Sequence, residues 1–405
     1  MNFPGLGILG VLAFVVALLF SVMIHEAGHY LTAKKFHMRV TEFFLGFGTR
    51  IWSFQRGETE FGIKAIPAGG YCRISGMSVN EEMSEADKHR AFHLASVPKR
   101  LIVLGAGSFM HFVLGFLILV ILFSGVGVTA VTKTIDQVVP CVSNSSSGIS
   151  DSSCTATSIP TPAKAAGLLA GDEVISINGK ESDNWVDYTT IIRESARKEV
   201  IIAVMRNGER LLIPVTPAAR TLNGKEIGYL GIINKLGNKK ENPIKAVSSS
   251  VRITGDLLQN SVTSLFALPT KIPALVRQTF GNEERDAQGL VGVVGVARVS
   301  AQTASEPSLE SREKIATFLI IIASLNIFVG VFNLLPLLPL DGGHMAVAIV
   351  DGIRRFNAKR RKLSPPAAID VEKLLPLTLA VFALLAVLSL LLLTADIFNP
   401  INIYQ

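Results

Sequence analysis

The sequence is short of charge and short of cysteine. Only 18% of its 405 residues are charged, against roughly a quarter in an ordinary soluble domain. That argues against a disordered chain, a nucleic-acid tail protein and an ordinary cytosolic enzyme. Three cysteines are too few for a disulfide scaffold. The net charge of +7 would suggest nucleic acid only if its basic residues formed one patch, so a membrane surface fits it better and no nucleic-acid partner is expected. What the chain does have is apolar residue, 49% of the total, gathered into clumps.

Four stretches, about 5–24, 101–131, 315–340 and 374–394, are apolar for long enough to cross a bilayer, which takes about 20 residues. Buried core helices are the alternative, but four such runs in one chain, two of them at its ends, speak against it. The first run lacks the basic flank and small-x-small cleavage site of a signal peptide, so it reads as a span. Lysine and arginine set the orientation. Lys34, Lys35, Arg39, Arg50, Arg56, Lys64, Arg73, Lys88, Arg90, Lys99 and Arg100 crowd between the first two spans. Arg354, Arg355, Lys359, Arg360, Arg361, Lys362 and Lys373 precede the last. Both basic segments are expected in the cytoplasm, with both termini and the region 132–314 outside. Arg312 and Lys314 fall on the wrong side, but a long translocated domain weakens the rule there.

The outer region opens with a Ser-rich insert at 142–153, flanked by Cys141 and Cys154. On an oxidising face these two could pair, or remain free thiols; Cys72 would be cytoplasmic and reduced. Ala166-Gly167-Leu168 and Gly171-Asp172 read as turns, 173–177 as a strand and Asn178-Gly179 as a hairpin turn. A helix at about 187–197 and strands at 200–205 and 210–215 follow, the strands joined by Asn207-Gly208. This resembles a bacterial PDZ domain at about 132–218. Such domains capture an extended peptide as an added strand, although the fold could equally serve as a plug over the membrane part. From 243 to 280, Val251, Leu257, Leu258, Val262, Leu265 and Phe266 mark a helix that lies on the bilayer or packs on the spans.

At the end of the first span stands His25-Glu26-Ala27-Gly28-His29. On a helix the two histidines are one turn apart and point the same way, so both can bind one zinc with Glu26 beside them as base. Ionisable groups at membrane depth are costly and mark function. A catalytic zinc needs a third protein ligand. The third span offers Asp341 and His344, within Asn333-Leu-Leu-Pro336-Leu-Leu-Pro339-Leu-Asp341-Gly342-Gly343-His344. Its two prolines free backbone groups, which is tolerated only against protein or a wet cavity.

These two motifs, with the PDZ-like segment between them, resemble the site-2 protease family of intramembrane zinc metalloproteases, most closely an actinobacterial branch with a single PDZ domain. The family's HExxH falls on His25, Glu26 and His29, and its aspartate motif on Asn333, Pro336 and Asp341-Gly342. Gly46-Phe47-Gly48, the run 57–67 and Gly69-Gly70-Tyr71 look like its membrane-dipping β-hairpin. Ser324 and Asn326 stand before the aspartate motif as in the family, and 289–293 looks like its GPVGI segment, with Leu290 in the proline's place. The family's Gly-Pro-x-x-Asn in the second span is here Gly107-Ser108-Phe109-Met110-His111. His111 therefore either lines the cavity or packs between helices.

The resemblance implies a multi-pass α-helical membrane protein with four transmembrane helices, an inserted extracytoplasmic PDZ-like α+β domain and a membrane-associated β-hairpin. Its expected segments are a first span with HExxH (1–30), a cytoplasmic or re-entrant hairpin region (31–100), a second span (101–131) and the PDZ-like domain (132–218). A linker with an amphipathic helix (219–314), a third span with the LDG motif (315–345), a basic cytoplasmic loop (346–373) and a fourth span with its tail (374–405) complete them. Zn2+ would be held by His25, His29 and Asp341, with Glu26 as base. Asn333 and Pro336 would meet the substrate backbone. The strand-like residues 58–73 would hold an unwound substrate by edge pairing, and the PDZ region would filter substrates by size or by a newly exposed C-terminus. The expected partners are the lipid bilayer and single-span proteins of the cell membrane, such as anti-sigma factors or remnant signal peptides, already cut once by another protease. A catalytically dead PDZ-bearing adaptor is the alternative, but it has no need of four ionisable groups in lipid. A zinc transporter is the third reading, and the bulky PDZ-like domain speaks against it.

Overall fold

The computed structural model describes residues 4–141, 154, 158–222, 224–281, 283, 285–286, 289–364 and 366–401. The Ser-rich insert at 142–153 lies outside these residues; its flanking Cys141 and Cys154 form a disulfide. In chain order the elements are α1 (Pro4–Lys35), β1 (Val40–Arg56), β2 (Thr59–Ile74), α2 (Val97–Ile121), β3 (Val128–Val138), α3 (Pro162–Ala165), β4 (Glu173–Ile177) and β5 (Lys180–Glu181). Next come α4 (Trp185–Glu194), β6 (Val200–Arg206), β7 (Glu209–Val215), β8 (Ala218–Leu222), β9 (Lys225–Tyr229) and β10 (Ile232–Lys239). The last are α5 (Pro243–Phe280), α6 (Val293–Ser305), α7 (Ser311–Asn333), α8 (Asp341–Arg360) and α9 (Leu375–Phe398). The chain divides into two compact units, one of Met1–Gly127 with Lys240–Gln405 and one of Val128–Lys239.

In the first unit four helical stretches are long and apolar enough to cross a membrane: Gly5–Lys35, Val97–Val126, Ser311–Asn333 and Val371–Phe398. The last exposes Leu377, Leu379, Phe382, Leu384, Val387 and Leu390. In water that surface would be untenable; against lipid tails it is the expected face. α1 packs on α2 and α6, and α2 on α7 and α8. Small residues allow the close approach. A Cβ on Gly28 would fall 2.6 Å from the Ala106 carbonyl oxygen, and one on Gly10 would fall 2.6 Å from that of Ser300.

The third span is shorter than the apolar run suggested. α7 stops at Asn333 and residues 334–340 form a turn. Pro336 and Pro339 lack the N–H that would continue the helix. A new helix, α8, then starts at Asp341 and runs to Arg360, through most of the segment expected as a basic loop. Its charges are partly inward-facing: buried Asp351 accepts from Arg100 of α2 at 2.7 Å and pairs with Arg355 at 3.2 Å. α5 runs along α2, α7 and α9, leaving Ile244 and Phe266 exposed. α6 lies within the segment expected as linker.

β1 and β2 are long, and glycines fold them over. Gly46 and Gly48 have φ of +88° and +82°, a region open to glycine at little cost. As a result Phe43 has Cys72 on one side and Phe61 on the other, and Phe44 lies between Tyr71 and Gly62. The 70–74 segment is an edge of this small sheet. Its base is buried with α1 and α2 through Ala33, Met38, Val40, Ile74, Phe92, Val103 and Leu104.

The Val128–Lys239 unit holds a sheet of order β10-β3-β4-β6-β7, with β5 on β4, and a separate β8-β9 hairpin. Ile135, Leu168, Val174, Ile177, Tyr188, Ile202, Val204 and Val215 are among its buried core. Tyr188 is satisfied there: its hydroxyl donates to the Ile175 carbonyl and accepts from the Ser182 N–H at 2.9 Å. Asp172 is buried and clamped by Arg206 through two 2.7 Å contacts. The helix expected at 187–197 spans Trp185–Glu194, where the Asn184 side chain caps it by accepting from the Val186 N–H. The unit also continues past residue 218: β10 pairs with β3, Ile232 against Val138 and Lys239 against Val128. Such a pairing across about a hundred residues leaves no local pattern to read.

Candidate metal centre

α1 presents His25 and His29 on one face, both buried. His29 Nδ1 donates to the Val103 carbonyl of α2 at 2.8 Å. That bond fixes the tautomer, so Nε2 carries a lone pair. The turn at 334–340 brings Asp341 to the start of α8, where a carboxylate is favoured by the helix dipole. The turn can press on α8 because Gly342 has no Cβ; one added there would overlap the carbonyls of Leu334 and Leu335.

The three side chains converge. His29 Nε2 lies 3.1 Å from His25 Nε2, and Asp341 Oδ2 is 3.3 Å from His25 Nε2 and 3.4 Å from His29 Nε2. Among the described residues these three form a group able to hold a metal ion. Asp341 Oδ2 and His25 Nδ1 are buried without a well-formed hydrogen bond. The lone pairs of His29 Nε2 and Asp341 Oδ2 face one point, an arrangement that repels itself unless a cation joins it. The spacing also fits: zinc–ligand bonds of about 2.0–2.1 Å at tetrahedral angles put donor atoms roughly 3.3 Å apart. Glu26 interacts electrostatically with His29, His25 and Asp341 and reaches the Cys72 backbone on the edge of β2.

His344, the competing candidate, is not in this group; it lines a small cavity with Met77, Phe92, His93, Arg100 and Asp351. Asn333 ends α7 half-buried, and Pro336 is exposed in the turn. His111 is buried with its ring 4.9 Å from that of His25.

Two neighbours of the histidines were given no role by the motifs: Gly107 stood only as the first residue of the second-span pattern, and Ser21 in none. Gly107 of α2 lies against the histidines, and a Cβ there would overlap His29 Nε2 and the His25 ring. Ser21, one turn before His25, accepts from Asn326 Nδ2 at 3.1 Å. The four-residue spacing of Ser21 and His25 was the available signal for the second.

Comparison with known proteins makes this chain, with its four apolar helices, a membrane metallopeptidase. Residues 13–368 match the model of Peptidase family M50. The chain belongs to that family, which includes the site-2 proteases. It is 34% identical over 420 residues to a protein of Mycolicibacterium smegmatis named zinc metalloprotease Rip1, covering 98% of this chain and 99% of that one. It is 33% identical over 410 residues to Rip1 of Mycobacterium tuberculosis H37Rv, with the same coverage. Zinc metalloprotease RasP of Bacillus licheniformis is 25% identical over 447 residues, covering 92% and 97%.

Proposed function

We propose that the chain is a zinc-dependent intramembrane endopeptidase that cuts the transmembrane segments of single-span membrane proteins. The convergence of His25, His29 and Asp341 beside Glu26 carries this reading. These three residues would hold the metal. Zinc, when bound, supplies an acidified water and polarises a peptide carbonyl. Glu26 takes up a proton and passes it to the leaving amine. Buried walls keep bulk water from the site and so strengthen each charge interaction within it. Asn333 and Pro336, in and before the turn that carries Asp341, meet the substrate backbone.

A substrate helix hides its carbonyls in its own hydrogen bonds, so it must unwind. The 70–74 edge supports a holding role, because Gly70 lies against Met23 and Val22 of α1, within one turn of His25. An unwound segment adds there as a strand. The Val128–Lys239 unit is read as PDZ-like from its Ala166-Gly167-Leu168 turn, its Gly171-Asp172 turn and its strand and helix order, and it selects substrates by binding an extended segment. Lysine and arginine put both termini and this unit on the extracytoplasmic side of the cell membrane. The substrates are proteins already cut once by another protease.

The test is cleavage of a model single-span protein in detergent, wild type beside Glu26→Gln. Turnover should fall at least about a thousandfold, in keeping with loss of a general base and its positioning, while one zinc per chain remains. Equal cleavage by both proteins, or no bound zinc in the wild type, would sink the protease reading and leave the inactive adaptor.

A further inference from the structure

His111 of α2 stands outside the metal-holding group, yet its surroundings fix it in one chemical form. Asn326 of α7 places Oδ1 against His111 Nδ1 at 2.8 Å. The amide orientation is determined by its other end, where Nδ2 donates to the Ile322 carbonyl at 2.8 Å and to Ser21 Oγ at 3.1 Å. A flipped amide would set its oxygen against the Ile322 carbonyl oxygen. Ser21 can accept because its own hydroxyl proton goes to the Ala17 carbonyl at 2.8 Å. The donors therefore run in one direction, from His111 to Asn326 to Ser21 to the backbone of α1. Every member is buried, with His111, Asn326 and Ser21 at 3%, 1% and 4% exposure.

Nδ1 of His111 must carry the proton, so Nε2 of the neutral ring presents a lone pair. No hydrogen bond reaches that nitrogen, and it is not among the fully buried unpartnered atoms, so it opens onto space beside the His25 ring. His111 sits one turn along α2 from Gly107, which touches both zinc-facing histidines. It is nevertheless not near enough to all three to share their metal. The donor it awaits comes from what enters the pocket.

We propose that His111 Nε2 accepts a hydrogen bond from a backbone N–H of the unwound peptide substrate, and that Asn326 and Ser21 position it for this. The donor is a peptide because an unwound helix brings free N–H groups into a pocket otherwise rich in acceptors. This deepens the protease reading and rests on it.

The experiment uses the zinc-loaded full chain in detergent, with Glu26→Gln to stop turnover. The probe is a synthetic single-span peptide of about 25 residues with a Gly-Pro step at its middle. His111→Phe keeps a ring and removes the acceptor; it should weaken peptide binding roughly fivefold, the worth of one hydrogen bond, and leave zinc content at one per chain. His111→Gln, which retains a carbonyl acceptor, should bind within about twofold of the parent. In [15N]histidine-labelled Glu26→Gln protein, the resonance that vanishes in His111→Phe should show Nδ1 protonated and Nε2 bare, and Nε2 should shift on peptide addition. Loss of zinc in His111→Phe, equal binding in all three proteins, or a protonated Nε2 in the peptide-free protein would each overturn the proposal. If the Glu26→Gln parent binds no zinc or no peptide, the protease reading itself has failed, which is a different result.

Discussion

The chemistry of this chain depends on residues that carry none. Gly107 has no side chain, and the two histidines lie where its Cβ would be. Gly107→Ala should displace His25 or His29 and lower both zinc content and cleavage, the latter by about a hundredfold or more, because a misplacement of about 1 Å costs that much. Metal analysis beside turnover checks this; full zinc with normal cleavage would show that α2 can shift to make room. His25, Glu26, His29 and the third-ligand pair of candidates were legible because each is a polar residue stranded in an apolar run. The close contact at Gly107, known beforehand only as part of the second-span pattern, the part played by Ser21 and the rejection of His344 were not. Glycine and serine are ordinary in membrane helices, and the choice between Asp341 and His344 depends on how the 334–340 turn bends.

Among the elements, the helices and the folded hairpin differ in how openly the sequence wrote them. Length and hydropathy mark a span directly, and the break in the third was foreseeable from Pro336 and Pro339. The doubled pairing of β1 and β2 was not, because it depends on the backbone angles of Gly46 and Gly48. At the hairpin turn, Glu58 accepts two 2.7 Å bonds from Arg90 and pairs with Lys34. The Arg90 guanidinium first, then the Lys34 ammonium, hold its carboxyl down at about 2, against an ordinary 4.5. A depressed value stabilises the folded form above about pH 4.5. That contribution fades as pH falls through the window from 4.5 to about 2. Glu58→Gln should therefore melt lower than wild type at pH 7, by roughly 1 kcal/mol or less for so exposed a cluster, and the gap should close toward pH 2. Thermal unfolding at several pH values reads this; a gap that widened in acid would contradict it.

For the whole molecule, two compact units pose two separate stability problems. Lipid relieves the first of hiding its apolar surface, and what it buries with care is charge, as in the Arg100–Asp351–Arg355 cluster. The second is built like a soluble domain around an apolar core, and Asp172, the one deeply buried acid among its described residues, is held by Arg206. The turn containing Asp172 was legible as a turn; its role as an anchor was not, because Arg206 is distant in sequence. Asp172→Ala should cost the Val128–Lys239 unit about 2 kcal/mol through lost charge-assisted bonds. In the full-length protein, hydrogen exchange at β4 and β6 should speed up while α1, α2 and α7 stay protected. Uniform loss of protection across both units would mean that they do not open independently.

The site itself is spread along the chain in a way that bears on how the protein is made. His25 and His29 come near the beginning, whereas Asp341 follows about 300 residues later. A ribosome inserting this chain delivers the histidine pair and its glutamate long before the aspartate exists. On the proposed ligand set, the growing protein has an incomplete metal seat through most of its synthesis. Only when residue 341 has been made is that proposed seat complete.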